Sequence, residues 1–207
     1  MVKLNLGCGL SAHDGWVNYD NSPRLRLQRL PLFGHFFKFI KPTFPSDVFY
    51  GDITTRIPAQ SNSVDFIYSS HMLEHLSLED FELALHEIYR LLKPGGVFRA
   101  VVPDLEDSIE VYLSKTSPEA GSEFLKEINL GIEKKPKGVL SKIKSILGSS
   151  CHLWMWDYKG ISFELDKAGY INISRAFFND SNIQEFMSIE KFDRWDDCLG
   201  FECQKPI

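Results

Sequence analysis

An α/β chain on a largely parallel sheet is what this sequence predicts, and three observations carry the prediction. Segments of strand character alternate with segments of helical period along the chain. A short apolar run, Val2 to Leu6, breaks into a turn that carries two glycines, Gly7 and Gly9. Between the strand-like runs Val64 to Ser69 and Val97 to Val102 lies a clear amphipathic helix.

Seven strands are predicted, at Val2 to Leu6, Trp16 to Tyr19, Val48 to Tyr50, Val64 to Ser69, Val97 to Val102, Tyr170 to Phe178 and Leu199 to Gln204. The helix after the fourth runs from about Ser77 to Leu92, because Leu78, Phe81, Leu85, Ile88 and Leu92 recur at three- and four-residue spacing. Ser77 with Asp80 makes a capping-box-like start, and Pro94-Gly95-Gly96 ends it. A further helix, Tyr158 to Ala168, stops at Gly169 just before the sixth strand. The first crossover is anomalous. Only Leu10 to Trp16 separate the glycine turn from the second strand, whereas a parallel crossover takes about a dozen residues. Either the first crossover helix is reduced to a turn, or the second strand lies elsewhere. No repeat or boundary divides the chain, so residues 1–207 are expected to form a single domain. The material outside the alternating core falls in insertions at about 22–47 and 105–155. Both follow strands and so lie on the ligand side of an open sheet, where they are expected to form an acceptor lid. With the first strand at the start of the sequence, no helical cap precedes it, and acceptor selection falls to those insertions.

Composition removes several classes of function. The 207 residues, 43% hydrophobic, suffice for a sizeable core. No run approaches the roughly 18 to 20 apolar residues of a membrane span, and the start lacks the charged region and apolar core of a signal peptide. A cytoplasmic location is expected. Cys8, Cys151, Cys198 and Cys203 are scattered with no Cys-x-x-Cys, which argues against a disulfide framework or a zinc ribbon. A net charge of −5 and a pI near 5.7 argue against a nucleic-acid footprint. Basic residues nevertheless gather in two acid-free stretches. Arg24, Arg26, Arg29, Lys38 and Lys41 lie between Ser22 and Ser46, interleaved with leucine and phenylalanine; Lys134, Lys135, Lys137, Lys142 and Lys144 lie between Lys134 and Ser150. Three readings stand for these stretches: solvated faces with an apolar underside, a lid for an anionic acceptor, or reversible docking on anionic lipid, the last not favoured.

The glycine turn suits a nucleotide-like ligand, since glycine takes positive φ and lets the backbone approach closely. Three blocks belong together: Lys3-Leu4-Asn5-Leu6-Gly7-Cys8-Gly9, then Val64 to Leu76, which ends in Ser69-Ser70-His71-Met72-Leu73-Glu74-His75-Leu76, then Leu91 to Pro103 around Lys93-Pro94-Gly95-Gly96. In combination they resemble a class I S-adenosylmethionine-dependent methyltransferase, specifically a small predicted enzyme of the methyltransferase-11 type, some of which are associated with surface-polysaccharide genes. The resemblance implies a Rossmann-like, doubly wound, mostly parallel seven-stranded sheet with an antiparallel last strand. It also implies S-adenosylmethionine as the methyl donor. On this basis Asn5, Gly7, Cys8 and Gly9 line the methionyl and ribose region. Asp20 accepts the ribose hydroxyls, Asp52 and Ile53 recognise the adenine, and Ser69 sits beside the reacting methyl. Two positions depart from the family pattern: Asn5 stands where an acid is common, and Ser11 where a third glycine is.

Methyl transfer needs alignment, exclusion of water and sometimes removal of a proton. His71, directly after the fourth strand, and His152, in Cys151-His152-Leu153-Trp154-Met155-Trp156, are the candidate bases. Trp154 or Trp156 could stack on a sugar face, or both could simply cover the sheet. The position after Ser69 lacks the Asp/Asn-Pro-Pro-aromatic signature of base methylation. The expected acceptor is therefore a small molecule or saccharide, an anionic one included, methylated at oxygen, with no nucleic acid as partner. The alternative is a non-catalytic methyltransferase-like binding protein. Two weaker readings are set aside. A nicotinamide fingerprint needs a full helix and an acid about 20 residues on, and Asp20 comes too early. His71-Met72-Leu73-Glu74-His75 also matches the H-x-x-E-H zinc-peptidase pattern, but so short a motif after an apolar strand is weak, and no metal is expected.

Overall fold

The computed structural model describes residues 1–31, 41, 43–131 and 151–207. β1 (Lys3–Leu6) lies inside the sheet, flanked by β2 (Val17–Asp20) on one side and β4 (Val64–Ser70) on the other, both parallel to it. Such a strand is covered on both faces, which is why Leu4, Asn5 and Leu6 are all buried. β3 (Val48–Tyr50) extends the sheet beyond β2, and β5 (Leu92–Pro103) pairs in parallel with β4. Between β5 and β6 (Ile171–Ala176) lies β7 (Cys198–Gln204), antiparallel to both. The order is β3-β2-β1-β4-β5-β7-β6. All seven predicted strands are present, and the last is antiparallel as expected.

Helices cover both faces. α1 (Pro23–Gln28) follows β2. α2 (Leu78–Leu91) buries Phe81, Leu85, Ile88 and Leu91 against Ile67, Phe98 and Ala100 of the sheet. Ser77 caps it by accepting the Asp80 N–H at 3.1 Å, the arrangement its sequence suggests. α3 (Leu105–Ser114) and α4 (Ala120–Glu127) belong to the long insertion. α5 (Tyr158–Lys167) adds Ile161 and Leu165 to the α2 layer. On the opposite face, Phe186 and Ile189 of α6 (Gln184–Ile189) pack with Trp16, Tyr68, Val101 and Trp195. Ile67 and Tyr68, adjacent in β4, point to different clusters, as the pleat requires. Among the described residues, no helix is long and apolar enough to cross a membrane.

Two boundaries differ from expectation. β5 begins at Leu92, with no loop after α2, and Pro94-Gly95-Gly96 lies inside the strand instead of before it. The pairing of β4 with β5 slips between Val64 and Phe66, so the glycine-containing stretch is absorbed as an irregularity. The first crossover contains no helix, and β2 is where the sequence puts it. Asn18 takes over the hydrogen bonding that a helix would supply. Its amide nitrogen donates to the Trp16 and His13 carbonyls at 3.1 and 3.3 Å, and its oxygen accepts from His13 N at 3.0 Å.

Arg99, in the middle of β5 and buried, ties this half of the molecule together. It pairs with the buried Glu190, with Asp180 and with Glu202, and lies over the Trp195 ring at 4.7 Å. Three carboxylates around one guanidinium satisfy a charge that burial would otherwise make costly.

Candidate active site

Where β1, β2 and β4 end at their carboxyl edges, a cavity of about 580 Å³ opens. The glycine turn forms one wall. Gly7 and Gly9 have φ of +67° and +54°, and the N–H groups of Gly7 and Cys8 both donate to the Tyr19 carbonyl, at 2.9 and 3.1 Å. A Cβ on Gly7 would fall 2.3 Å from Met72 Cγ, whereas one on Gly9 would meet nothing within 4 Å. Gly7 is thus required by packing and backbone, Gly9 by backbone alone, and Gly9 borders open space.

Asp20 closes the turn. One carboxylate oxygen accepts the Gly9 N–H at 2.9 Å and the other the Ser22 N–H at 2.8 Å. Each oxygen retains a lone pair for a ligand hydroxyl. Asn5, Gly7, Cys8, Gly9, Asp20 and Ile53 all line the cavity. Asp52 and Ser69 do not. The Asp52 carboxylate accepts the Thr54 N–H and hydroxyl at 2.9 and 2.7 Å, and the buried Ser69 donates to the Leu6 carbonyl at 3.1 Å. Their neighbours Gly51 and Ser70 line the cavity in their place.

Asn5 answers a question its sequence position raises. Its amide nitrogen donates to Asn18 Oδ1 at 3.0 Å and to the Ser11 carbonyl at 3.3 Å. A carboxylate there would have no proton for either acceptor, so an amide, not an acid, fits beneath this helix-free crossover.

His71 lines the cavity at φ +51°. Nε2 lies 2.9 Å from the Arg194 carbonyl, and Nδ1 lies 3.4 Å from Glu74 Oε1. Burial opposes its charge, but contacts with Cys198, Glu74 and the Arg194 carbonyl favour it more, raising its pKa to about 9. With acceptors facing both nitrogens, the ring holds both protons near neutral pH, which is unfavourable for a base. The H-x-x-E-H layout does not form either. Leu73–His75 is a 3₁₀ turn and His71 precedes it in left-handed backbone, so the two imidazoles do not share a helical face.

His152 is not among the lining residues; it packs beside His75, ring centroids 5.2 Å apart, and His75 lines the cavity instead. Trp156 is buried against Phe81 at 4.2 Å, Trp154 is exposed, and neither lines the cavity. Cys8 does, and burial, followed by the Asp20 and Asp47 charges, pushes its thiol up to about 12. The sequence did not point to Lys191 and Arg194, which line the cavity from the segment between α6 and β7. Of the basic stretches, Arg26 lies over Tyr50 at 5.6 Å and Arg29 donates to the Pro45 and Val48 carbonyls. The rest of the first, residues 32–40 and 42, and the whole of the second lie outside the described residues, and so do those parts of the two insertions expected to form a lid.

Residues 4–100 match the family model described as methyltransferase domain, methyltransferase-11 type. Over those residues the chain carries a methyltransferase domain, and its fold is that of class I S-adenosylmethionine-dependent methyltransferases. Its cofactor is S-adenosylmethionine. Among solved structures, the methyltransferase is similar to a chain of the complex between the Haloferax volcanii Trm112 methyltransferase activator and a putative methyltransferase. Identity is 19%, with 100% of this chain and 83% of that one covered, at a TM-score of 0.52. A SAM-dependent methyltransferase from Archaeoglobus fulgidus is 18% identical over 98% of this chain and 85% of its own, at a TM-score of 0.51. Phosphoethanolamine N-methyltransferase 2 of Haemonchus contortus, in complex with S-adenosylmethionine, is 15% identical over 100% of this chain and 49% of its own, at 0.52. At these identities the likeness is one of fold. No curated protein matches the methyltransferase. The cavity suits the cofactor: left-handed glycines allow close approach, Asp20 presents a carboxylate with lone pairs to spare, and Ile53 presents an apolar side chain.

Proposed function

We propose that the methyltransferase acts on a hydroxyl oxygen of a small acceptor of saccharide type that carries an anionic group, such as a phosphorylated or nucleotide-linked sugar of surface-polysaccharide synthesis. The charge of the cavity wall carries this reading. Ser70, His71, Lys191 and Arg194 line it, and among the described lining residues Asp20 is the sole carboxylate. An amine acceptor, cationic before reaction, would meet cations without a counter-charge, whereas a phosphate would meet Lys191 and Arg194.

Asn5, Gly7, Cys8, Gly9, Asp20 and Ile53 hold the cofactor in this reading, with Asp20 at the ribose hydroxyls and Ile53 over the adenine. Asp52 and Ser69 support the wall from behind. S-adenosylmethionine supplies a methyl group already activated on a sulfonium. What is left to the chain is to align the acceptor and exclude water. His71 contributes positive charge rather than a base, and His152 stands behind His75, away from the acceptor.

Labelled methyl donor offered with sugar phosphates, nucleotide-linked sugars, neutral sugars and amines tests this. Label is expected on a hydroxyl of an anionic saccharide. Replacing both Lys191 and Arg194 by alanine should raise KM for that acceptor about tenfold and leave kcat within about threefold. Transfer to amines with the anionic saccharides silent would overturn the reading.

A further inference from the structure

Glu74 is the most anomalous carboxylate among the described residues. Its side chain is 1% exposed, and neither oxygen has a hydrogen-bond partner. Burying an ionised carboxylate costs several kcal/mol unless something compensates it. The contact with His71 Nδ1 at 3.4 Å is an ion-pair distance but lacks hydrogen-bond geometry, so it offsets only part of that cost.

Two imidazoles stand close by. One ligand atom from each of Glu74, His75 and His152 lies within 4.8 Å of the others. The first ring is already held through the main chain, with His75 Nδ1 3.1 Å from the Cys151 carbonyl, and His152 Nδ1 is buried with no partner. For His75 that bond puts the proton on Nδ1 and leaves the Nε2 lone pair available, as in metal-bound histidines whose other nitrogen is fixed by a carbonyl. The backbone also clamps the two segments together, since Leu153 N and Trp154 N donate to the Glu74 carbonyl at 2.8 and 3.1 Å, and His152 N to the Asn129 carbonyl at 3.1 Å. Ligands from positions far apart in the chain are thus brought together, with Glu74 fully buried and the imidazoles partly so.

We propose that Glu74, His75 and His152 bind one divalent transition-metal ion, zinc in the first instance, beside the cofactor cavity. Two imidazoles and one carboxylate are a ligand set that zinc accepts, and three protein ligands leave a coordination position open. His75 also lines the cavity, so the site adjoins it. The H-x-x-E-H pattern thus matters through a different set of residues: His71 is no ligand, and His152 arrives from the other end of the long insertion. The inference does not depend on which acceptor is methylated, because the test reads metal directly.

The full chain, stripped with a chelator and titrated with Zn²⁺ against a chromophoric competitor, should bind one equivalent and gain thermal stability in doing so. Co²⁺ as a probe should give visible ligand-field bands without the near-ultraviolet thiolate band that binding at the four cysteines would produce. His152→Gln should weaken zinc at least about a hundredfold and abolish the thermal shift, with the far-ultraviolet circular dichroism unchanged. Cys151→Ala should keep affinity within about threefold. Glu74→Gln provides the second variant should His152→Gln fail to fold. No stoichiometric zinc, a cobalt–thiolate band, or undiminished affinity in the variant that folds would overturn the site and leave a charge network balanced by His71.

Discussion

The side-chain amides of Asn5 and Asn18 hydrogen-bond to each other at 3.0 Å, buried beneath the first crossover. Asn5 must donate there, because the Ser11 carbonyl on its other side can only accept. Asn5→Asp should therefore cost about 1 to 3 kcal/mol at pH 8, where the carboxylate has no proton to give. The loss should shrink as pH falls: the buried carboxyl binds its proton more tightly folded than unfolded, so the folded state gains as protons become available. Urea denaturation at pH 8 and pH 5 checks this, and equal stability of the two proteins at pH 8 would refute it.

Asp20 has a second duty besides the turn. Asp20→Ala should weaken S-adenosylhomocysteine by at least about tenfold, about 1.4 kcal/mol, as expected on losing charge-assisted bonds to a diol. Calorimetric titration reads this directly. An unchanged constant would show that another residue holds the ribose.

The two turn glycines should fail differently. Gly7→Ala drives a methyl group into Met72 and into unfavourable backbone, a loss of order 1 to 3 kcal/mol in thermal or urea unfolding. Gly9→Ala meets no side chain, so its stability loss should be the smaller and its cofactor affinity the more damaged. A Gly9 variant that unfolds as readily as the Gly7 variant would contradict the assignment.

Cys8 is the group whose titration the cavity alters most plainly. With its pKa moved from 9.0 to about 12, only about one molecule in ten thousand carries the thiolate at pH 8. Iodoacetamide at that pH should spare Cys8 and modify the exposed Cys151, with Cys8 labelling growing as pH is raised. Stability follows the same sign. The neutral thiol's contribution is intact below pH 9 and is lost as pH rises toward 12. Peptide mapping that finds Cys8 modified at pH 8 as fast as Cys151 would count against the burial argument.

Most of the fold was legible because the strands are short runs rich in apolar residues, most of them bounded by turn residues, and because α2 carries both its period and its cap in the open. The start of β5 was not, since Pro94-Gly95-Gly96 reads as a terminator until the partner strand absorbs it. The glycine turn and Asp20 announce themselves locally. Lys191 and Arg194 do not: nothing in their own segment marks them, and only the insertion of β7 between β5 and β6 brings them to the cavity. His75 and His152 meet for a similar reason, across the whole long insertion.

The helix-free crossover carries a consequence for turnover. In the usual arrangement a helix begins just after the glycines and turns its positive end toward the ligand; here that field is missing. A sulfonium should be tolerated better than in such a site, while the uncharged thioether left behind gains nothing. The balance between incoming donor and spent product should thus lean toward the donor, and accumulation of S-adenosylhomocysteine should slow this enzyme less than a relative with that helix intact.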